Sequence, residues 1–387
     1  MTKLKRIKLT GFKSIREMDL EMRNLNVLIG ANGAGKSNLV SFFKLLRDAM
    51  VVPRLQEFVA RAGGANALLH YGAATTQEIA AHLEFDVAEG VASYALRLAY
   101  AAPDSLVVAD ERLLFPPHQE YSSLDVEGLG GGYNHIRPAQ GGLQNSLLDA
   151  IYAARASGDP RAKNASDAVF SVLAASVLHL HDTSETAQVR QNHYINDGHY
   201  LQPDAGNLSA YLYALQETRP EYYRRIVGTI RQVAPFFEDF VLAPTPLNAN
   251  MIRLDWRERD RDMVFGPHQL SDGTLRAMAL ITLLLQPEDT LPQFLIIDEP
   301  ELGLHPYALS AIAGLIRAAA LDRQVVVCTQ SARLVDEFEP EDIVVVDKIG
   351  GESKFTRPNP ARLAEWLEEY SLGELWEKNV LGGRPAW

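Results

Sequence analysis

The chain has 387 residues, 47% hydrophobic and 22% charged, with a formal net charge of −12. That length supports a large core and two to three lobes, and the composition excludes disorder, collagen-like repeats and coiled-coil rods. The acidic balance argues against a protein that coats nucleic acid, because phosphate binding rests on Lys and Arg, although it leaves room for one local basic patch.

The N-terminal stretch is where positive charge gathers: Lys3, Lys5, Arg6, Lys8, Lys13 and Arg16 lie within Thr2–Arg16. Arg224 and Arg225 form a smaller group within Arg219–Arg231. Both are read as solvated surface, with DNA contact as the alternative. The same stretch lacks the apolar segment and small-residue cleavage site of a signal peptide. It alternates as strands do, through Ile7, Leu9 and Phe12 and then Met18, Leu20 and Met22. A third apolar run, Leu25–Ile29, ends in a glycine-rich turn, after which Leu39, Phe42, Phe43, Leu45 and Leu46 recur at helical spacing.

Two half-buried strands follow, one through Ile79, Ala81, Leu83, Phe85 and Val87, the other through Tyr94, Leu96, Leu98 and Tyr100. Residues 116–144 are glycine-rich and read as loops and short strands. Helical periodicity then marks Ser146–Ala156, Ala165–Leu180, Asn207–Gln216 and Glu221–Val233 as an inserted helical lobe. In the last third, Phe294–Ile297, Val325–Cys328 and Ile343–Val346 are continuous apolar runs, as in strands buried on both faces of a parallel sheet, with helices at about 274–285 and 307–320. The expected divisions are 1–115, the first half of a nucleotide-binding head with an antiparallel β lobe; 116–240, a β/loop region and the helical lobe; and 241–387, the second half of the head. The longest apolar runs, such as Ala277–Leu285, fall short of the ~20 residues that cross a bilayer. The single cysteine, Cys328, excludes an intrachain disulfide and suits a reducing compartment. The expected location is therefore the cytoplasm, away from membranes.

Five short motifs carry chemistry. Gly30-Ala31-Asn32-Gly33-Ala34-Gly35-Lys36-Ser37 is a full Walker A pattern in the strand–loop–helix context it requires. Its glycines let backbone N–H groups wrap phosphates, and the helix start adds a positive dipole end. Lys36 is expected on the β- and γ-phosphates of ATP and Ser37 on Mg²⁺, with Asn32, Gly33, Ala34, Gly35 and Asn38 completing the cradle. Phe294–Ile297 runs into Asp298 and Glu299, a Walker B pattern in which Asp298 holds Mg²⁺ through water and Glu299 activates the attacking water. Leu270-Ser271-Asp272-Gly273-Thr274 precedes a helix and matches an ABC signature, with Ser271, Asp272 and Gly273 as nucleotide contacts; a plain N-cap is the alternative. Glu301–Pro306 occupies the D-loop position, where His305 is either catalytic or a helix-start residue. Gln330 takes the switch position usually held by His; it can hydrogen-bond but carries no charge, so it reads as a γ-phosphate sensor. No Q-loop glutamine is assigned, Gln56 and Gln77 being weak candidates.

Together GFKSI (Gly11–Ile15), LIGANGAGKSNL, LSDGTLR and DEPELGLHP resemble the SMC/RecF/OLD branch of ABC-type ATPases, and more narrowly the stand-alone bacterial OLD-like and RecF-like members. The match is specific at 4–46 and 265–348 and diffuse between. The resemblance implies an α/β ABC-ATPase head, a P-loop fold with a mixed sheet flanked by helices, carrying a β-rich lobe and an inserted helical lobe. It further implies ATP-driven homodimerisation, a DNA-related role, anti-phage defence beside a nuclease, and a nucleotide contact from Lys13, for which a plain surface lysine is the other reading. OLD proteins continue into a Toprim nuclease, whereas this chain ends at Trp387 soon after its last core strand, so any nuclease or effector is expected to be a separate polypeptide. Three other readings compete: a RecF-like DNA-binding repair mediator, a transporter nucleotide-binding subunit, and a nucleotide-binding scaffold with little hydrolysis.

Overall fold

The structure is a computed structural model describing residues 3–48, 54–87, 90–115, 119–122, 133–135, 167, 169–170, 172, 176–178, 180 and 182–383. Two sheets organise it. The first is antiparallel in its main part, in the order Ile15–Glu21, Lys3–Phe12, Glu78–Val87, Gly90–Ala101, Ser105–Phe115, Gln119–Ser122 and Tyr133–His135, with the last pair parallel. Alternation builds it, interrupted by a register shift between Leu4 and Arg6. Leu4, Ile7, Leu9 and Phe12 point into the core while Lys5, Arg6 and Lys8 point out. Those cations meet carboxylates across the strands: Lys5–Asp86 at 3.3 Å, Arg6–Asp19 at 2.5 Å and Lys8–Asp19 at 3.7 Å. These three cations of the N-terminal basic run are thus paired with surface carboxylates.

The second sheet holds the site. Its order is Glu352–Thr356, Ile343–Ile349, Leu25–Ile29, Gln324–Thr329, Phe294–Asp298 and Ser176–Leu178, parallel except for the first pair. Val27, Ile29, Val325, Val327, Leu295 and Ile297 face one hydrophobic cluster, while Leu28, Val326, Cys328, Phe294 and Ile296 face another. Burial on both faces is why these segments read as unbroken apolar runs. The helix Lys36–Leu46 covers one face through Phe42 and Phe43, the latter 5.1 Å from the Phe294 ring. The helices Asp272–Leu285 and Pro306–Asp322 cover the other face, and against them lie Leu208–Thr218 and Pro220–Val233. Cys328 is fully buried and its thiol is held well above the usual range by desolvation.

One expected helix is corrected. Within Ala165–Leu180, residues Ser176–Leu178 form the edge strand that pairs in parallel with Leu295–Ile297. A stretch of three residues has no period of its own, so pairing with a buried neighbour decides its state. The expected helix Ser146–Ala156 lies outside the described residues. Among the described residues no helix is long and apolar enough to cross a membrane.

Candidate functional site

The strand Leu25–Ile29 is wholly buried and delivers the chain to Gly30, where the glycine loop begins. Gly33 and Gly35 have φ of +77° and +118°, which L side chains rarely adopt. A Cβ on Gly35 would also overlap the Ser353 hydroxyl, so the loop is moulded by its neighbours as well as by its own dihedrals. Ser353 Oγ donates to the Ala34 carbonyl at 2.5 Å and meets Ser14 Oγ at 2.6 Å, and Asn38 Nδ2 donates to Ser14 Oγ at 2.5 Å. Gly35 caps the helix Lys36–Leu46, whose first turn holds Ser37 exposed beside the loop. Lys36 Nζ donates to the carbonyls of Gly30 and Ala31, the second at 3.2 Å, so its charge sits inside the loop. Burial pushes the Lys36 ammonium below the usual lysine range, against the pull of the nearby acids Glu299, Asp298 and Glu301.

Asp298 ends the strand Phe294–Asp298 at the same sheet edge. Glu299 follows with φ of +48°, a strained backbone for a non-glycine residue, and its N–H donates to the Cys328 carbonyl at 2.8 Å. Its carboxylate accepts from Gln330 Nε2. Glu301 carries what the motif reading left unassigned. Its Oε1 accepts from the Thr329 hydroxyl at 2.7 Å and from the Gln330 N–H at 2.8 Å, while its Oε2 is buried without a partner. Burial raises its carboxyl above the ordinary glutamate range. The switch residue is therefore gripped at both ends, by Glu299 on the side chain and by Glu301 on the backbone.

The signature lies at a separate helix start. Ser271 caps the helix Asp272–Leu285, accepting from the Thr274 N–H at 3.2 Å. Arg190, 82 residues earlier and almost fully buried, holds this tip. It donates to the carbonyls of Thr183 (2.9 Å), Pro267 and Leu270 (3.2 Å) and to the Asp272 carboxylate (2.8 Å). A Cβ on Gly273 would overlap the Gly303 carbonyl oxygen, so glycine permits the signature helix to touch the loop after the acids. Ser271 and Asp272 remain exposed, and their side-chain hydrogen bonds go to Thr274 and Arg190 rather than to the phosphate loop of their own chain. His305 accepts from the Tyr307 N–H at 3.3 Å and so acts as the N-cap of Pro306–Asp322.

The structure thus brings Lys36, Asp298, Glu299 and Gln330 to one sheet edge beside Ser37, and sets Ser271, Asp272 and Gly273 apart with Gly303. Lys13 donates to Ser41 Oγ at 2.8 Å, against the helix that follows the loop, and burial lowers its pKa. Gln56 and Gln77 are committed to the β lobe, donating to the carbonyls of Leu106 (2.8 Å) and Ala73 (3.1 Å). Arg190 gave no signal, since its partners lie far away in the chain; Glu301 could have been found as a second acid two residues beyond Glu299. A hydroxyl on Ser37 with one carboxylate on Asp298 is the donor set that suits a magnesium ion otherwise bound by water and phosphate.

The whole arrangement is similar to solved Smc heads. One bound to the C-winged helix domain of ScpA is 15% identical, with 94% of this chain and 99% of that chain covered, at a TM-score of 0.59. Another, with an extended coiled coil and derived from Pyrococcus furiosus, is also 15% identical over 95% and 99%, at 0.53. At these identities the likeness concerns the fold. Fold and motifs together define a P-loop ATPase of the ABC/SMC class. The chain belongs to the family described as "AAA domain, putative AbiEii toxin, Type IV TA system", matched over residues 133–336, and residues 2–111 match an "AAA ATPase domain" model. A putative ABC transporter ATP-binding protein of Geobacter sulfurreducens is 29% identical over 133 residues, which is 30% of this chain. The chain spans about half the length of that relative, 52%.

Proposed function

We propose that the chain is an ATP-driven switch whose catalytic site is completed by a second copy of itself. What carries this reading is the convergence of Lys36, Asp298, Glu299 and Gln330 at the carboxyl ends of parallel strands, where ligands of open α/β sheets bind. The loop from Asn32 to Asn38 cradles the phosphates, and Lys36 exchanges its carbonyl partners for the β- and γ-phosphates. Ser37 and Asp298 would hold Mg²⁺, which when bound neutralises phosphate charge. Glu299 takes a proton from the attacking water as the bond to the γ-phosphorus forms, and ADP leaves with the bridging oxygen. Gln330, hydrogen-bonded to Glu299, orients that water and senses the γ-phosphate. Ser271, Asp272 and Gly273 of the second copy close over the same phosphate, which is the use their exposed tip suggests. Segments 1–115 and 241–387 act as two halves of the head, with 116–240 as the lobe between them.

The biological output we propose is a DNA-related transaction in anti-phage defence, performed with a separate nuclease or effector. Its support is the family description, which names a toxin system, and the partner protein bound by the similar Smc heads. Glu299→Gln should abolish turnover, a loss of at least about 100-fold, and trap an ATP-dependent dimer in gel filtration. Normal turnover in that variant overturns the assignment. Pull-down of the tagged chain from its native cell tests the effector.

A further inference from the structure

Residues 371–383, far from every motif in sequence, return to the phosphate loop. Gly382 and Gly383, at φ of +85° and +84°, turn the backbone so that the Gly383 carbonyl accepts from the Ala31 N–H at 2.8 Å. The Gly383 N–H donates to Asp347 Oδ1 at 2.6 Å, which fastens that turn to the strand Ile343–Ile349. The other end of the segment is fastened beside the switch. Gln330 and Ser331 lead into the short helix Ala332–Val335, and against it lies the helix Leu372–Glu377. The Gly373 N–H donates to Asp336 Oδ1 at 2.6 Å, and a Cβ on Gly373 would overlap the Ala332 carbonyl oxygen.

Between its two ends the segment is braced. Lys378, Asn379 and Val380 donate their N–H groups to the carbonyls of Glu374 (2.8 Å), Trp376 (2.9 Å) and Leu375 (2.9 Å). Leu372 and Trp376 are buried in the hydrophobic cluster that also holds Ile29 and Leu334. Trp376 is the unfinished part. It is 8% exposed, and its indole N–H is buried without a hydrogen-bond partner among the described residues. An indole is a donor only, and leaving it unpaired in the interior costs free energy. Its Nε1 and the Gly30 Cα lie 3.1 and 3.4 Å from one point, the place that a Cβ on Gly383 would take. The Gly30 carbonyl is at present an acceptor for Lys36.

The geometry points to residues 371–383 as a tie that positions the phosphate loop and couples it to the switch, with the Trp376 N–H taking over the Gly30 carbonyl when a triphosphate draws Lys36 away. The proposal rests on the phosphate-loop reading given above and adds Asp347, Gly383 and Trp376 as positioning residues outside the motifs. The exchange removes two penalties at once, since an unpaired buried donor meets a buried carbonyl that has just lost its ammonium. Trp376 and Gly373 share one short helix, so a movement of the indole is felt at the Ala332 carbonyl, two residues past Gln330. Occupancy of the cradle thereby reaches the switch through the chain itself, as well as through the nucleotide.

The test follows the indole N–H resonances of the full chain, ¹⁵N-labelled at its four tryptophans, by two-dimensional NMR. Trp376→Phe identifies the Trp376 cross-peak by its loss. Saturation with a non-hydrolysable ATP analogue and magnesium should move that peak downfield and slow its hydrogen exchange, as for a donor that gains an acceptor. In calorimetric titrations Asp347→Ala should weaken analogue binding by roughly 3- to 10-fold, the worth of one hydrogen bond, and Asp347→Asn, which keeps an acceptor oxygen, should restore it. Asp336→Ala, at the switch end, should weaken binding by a similar factor. The double variant Asp336→Ala/Asp347→Ala should lose no more than either single one, because both release the same tie, whereas independent sites add. A Trp376 peak unmoved at saturation overturns the proposal, as do additive losses or wild-type affinity in Asp347→Ala. If wild type binds no analogue at all, the phosphate-loop reading falls and the tie falls with it; an unmoved peak in saturated protein sinks the tie alone.

Discussion

The phosphate loop and the signature tip both lie at helix starts, yet they are built in opposite ways. The loop is shaped mainly by glycines at positive φ between a buried strand and an apolar helix face, with Ser353 packed against it from far along the chain, and its lysine is drawn inward onto its own carbonyls. The tip has an ordinary serine cap and is braced from a distance by the buried Arg190. One is a cradle whose lysine closes onto its own loop, and the other is an exposed serine cap beside a cavity of about 220 Å³ that Ser271, Gly273, Gly303 and His305 help to line. On the function proposed above, the difference is that of two half-sites: the cradle binds phosphate within one chain, and the tip serves the triphosphate of another copy.

Perturbations that strike one half and spare the other sharpen this contrast. The largest effect is expected from Lys36→Ala, which should lower ATP turnover by roughly 100-fold or more, since a charge aimed at the transferred phosphate is removed. The circular dichroism melt should stay cooperative, because the tip and both sheets are untouched. Arg190→Met comes next. It orphans the Thr183, Pro267 and Leu270 carbonyls, at a cost of about 3 kcal/mol in urea unfolding. Nucleotide binding by the subunit should survive in that variant while ATP-dependent dimerisation fails; loss of both would break the contrast. Glu301→Ala frees the Thr329 hydroxyl and the Gln330 N–H, costing about 2 kcal/mol and slowing turnover through a loosened switch.

The smallest effect is a pH signature at the same residue. Burial raises the Glu301 carboxyl in the folded state, so folding favours its protonated form. That contribution is full below the ordinary carboxylate range and is lost as the pH rises through the raised value. Glu301→Gln does not titrate, so between about pH 4 and 8 its unfolding free energy should decline less than that of wild type. Identical pH profiles would show that Glu301 is not held in a desolvated site.

Where an element was written into consecutive residues, the sequence was enough. The strand–loop–helix around Gly30–Ser37, the acids after Phe294–Ile297 and the buried parallel strands all follow from local periodicity and glycine placement. Arg190 was illegible because its importance lies in carbonyls up to 80 residues away, which no local pattern records. The strand Ser176–Leu178 was hidden for a related reason: its state comes from the neighbour it pairs with. Gln56 and Gln77 were of the right residue type at the wrong place, their amides serving turns of the β lobe.

The order of strands in the parallel sheet has a consequence for the ribosome. Leu25–Ile29 is a central strand whose two neighbours, Gln324–Thr329 and Ile343–Ile349, are encoded almost at the far end of the chain. At roughly 5–20 residues per second, the segment bearing the phosphate loop waits on the order of 15–60 s after its synthesis before either partner exists. Throughout that interval both of its backbone edges lack their native partners. The nascent protein is thus most vulnerable to aggregation at the segment its chemistry most needs, and a chaperone that shields the first 50 residues would protect the nucleotide site before there is a site to protect.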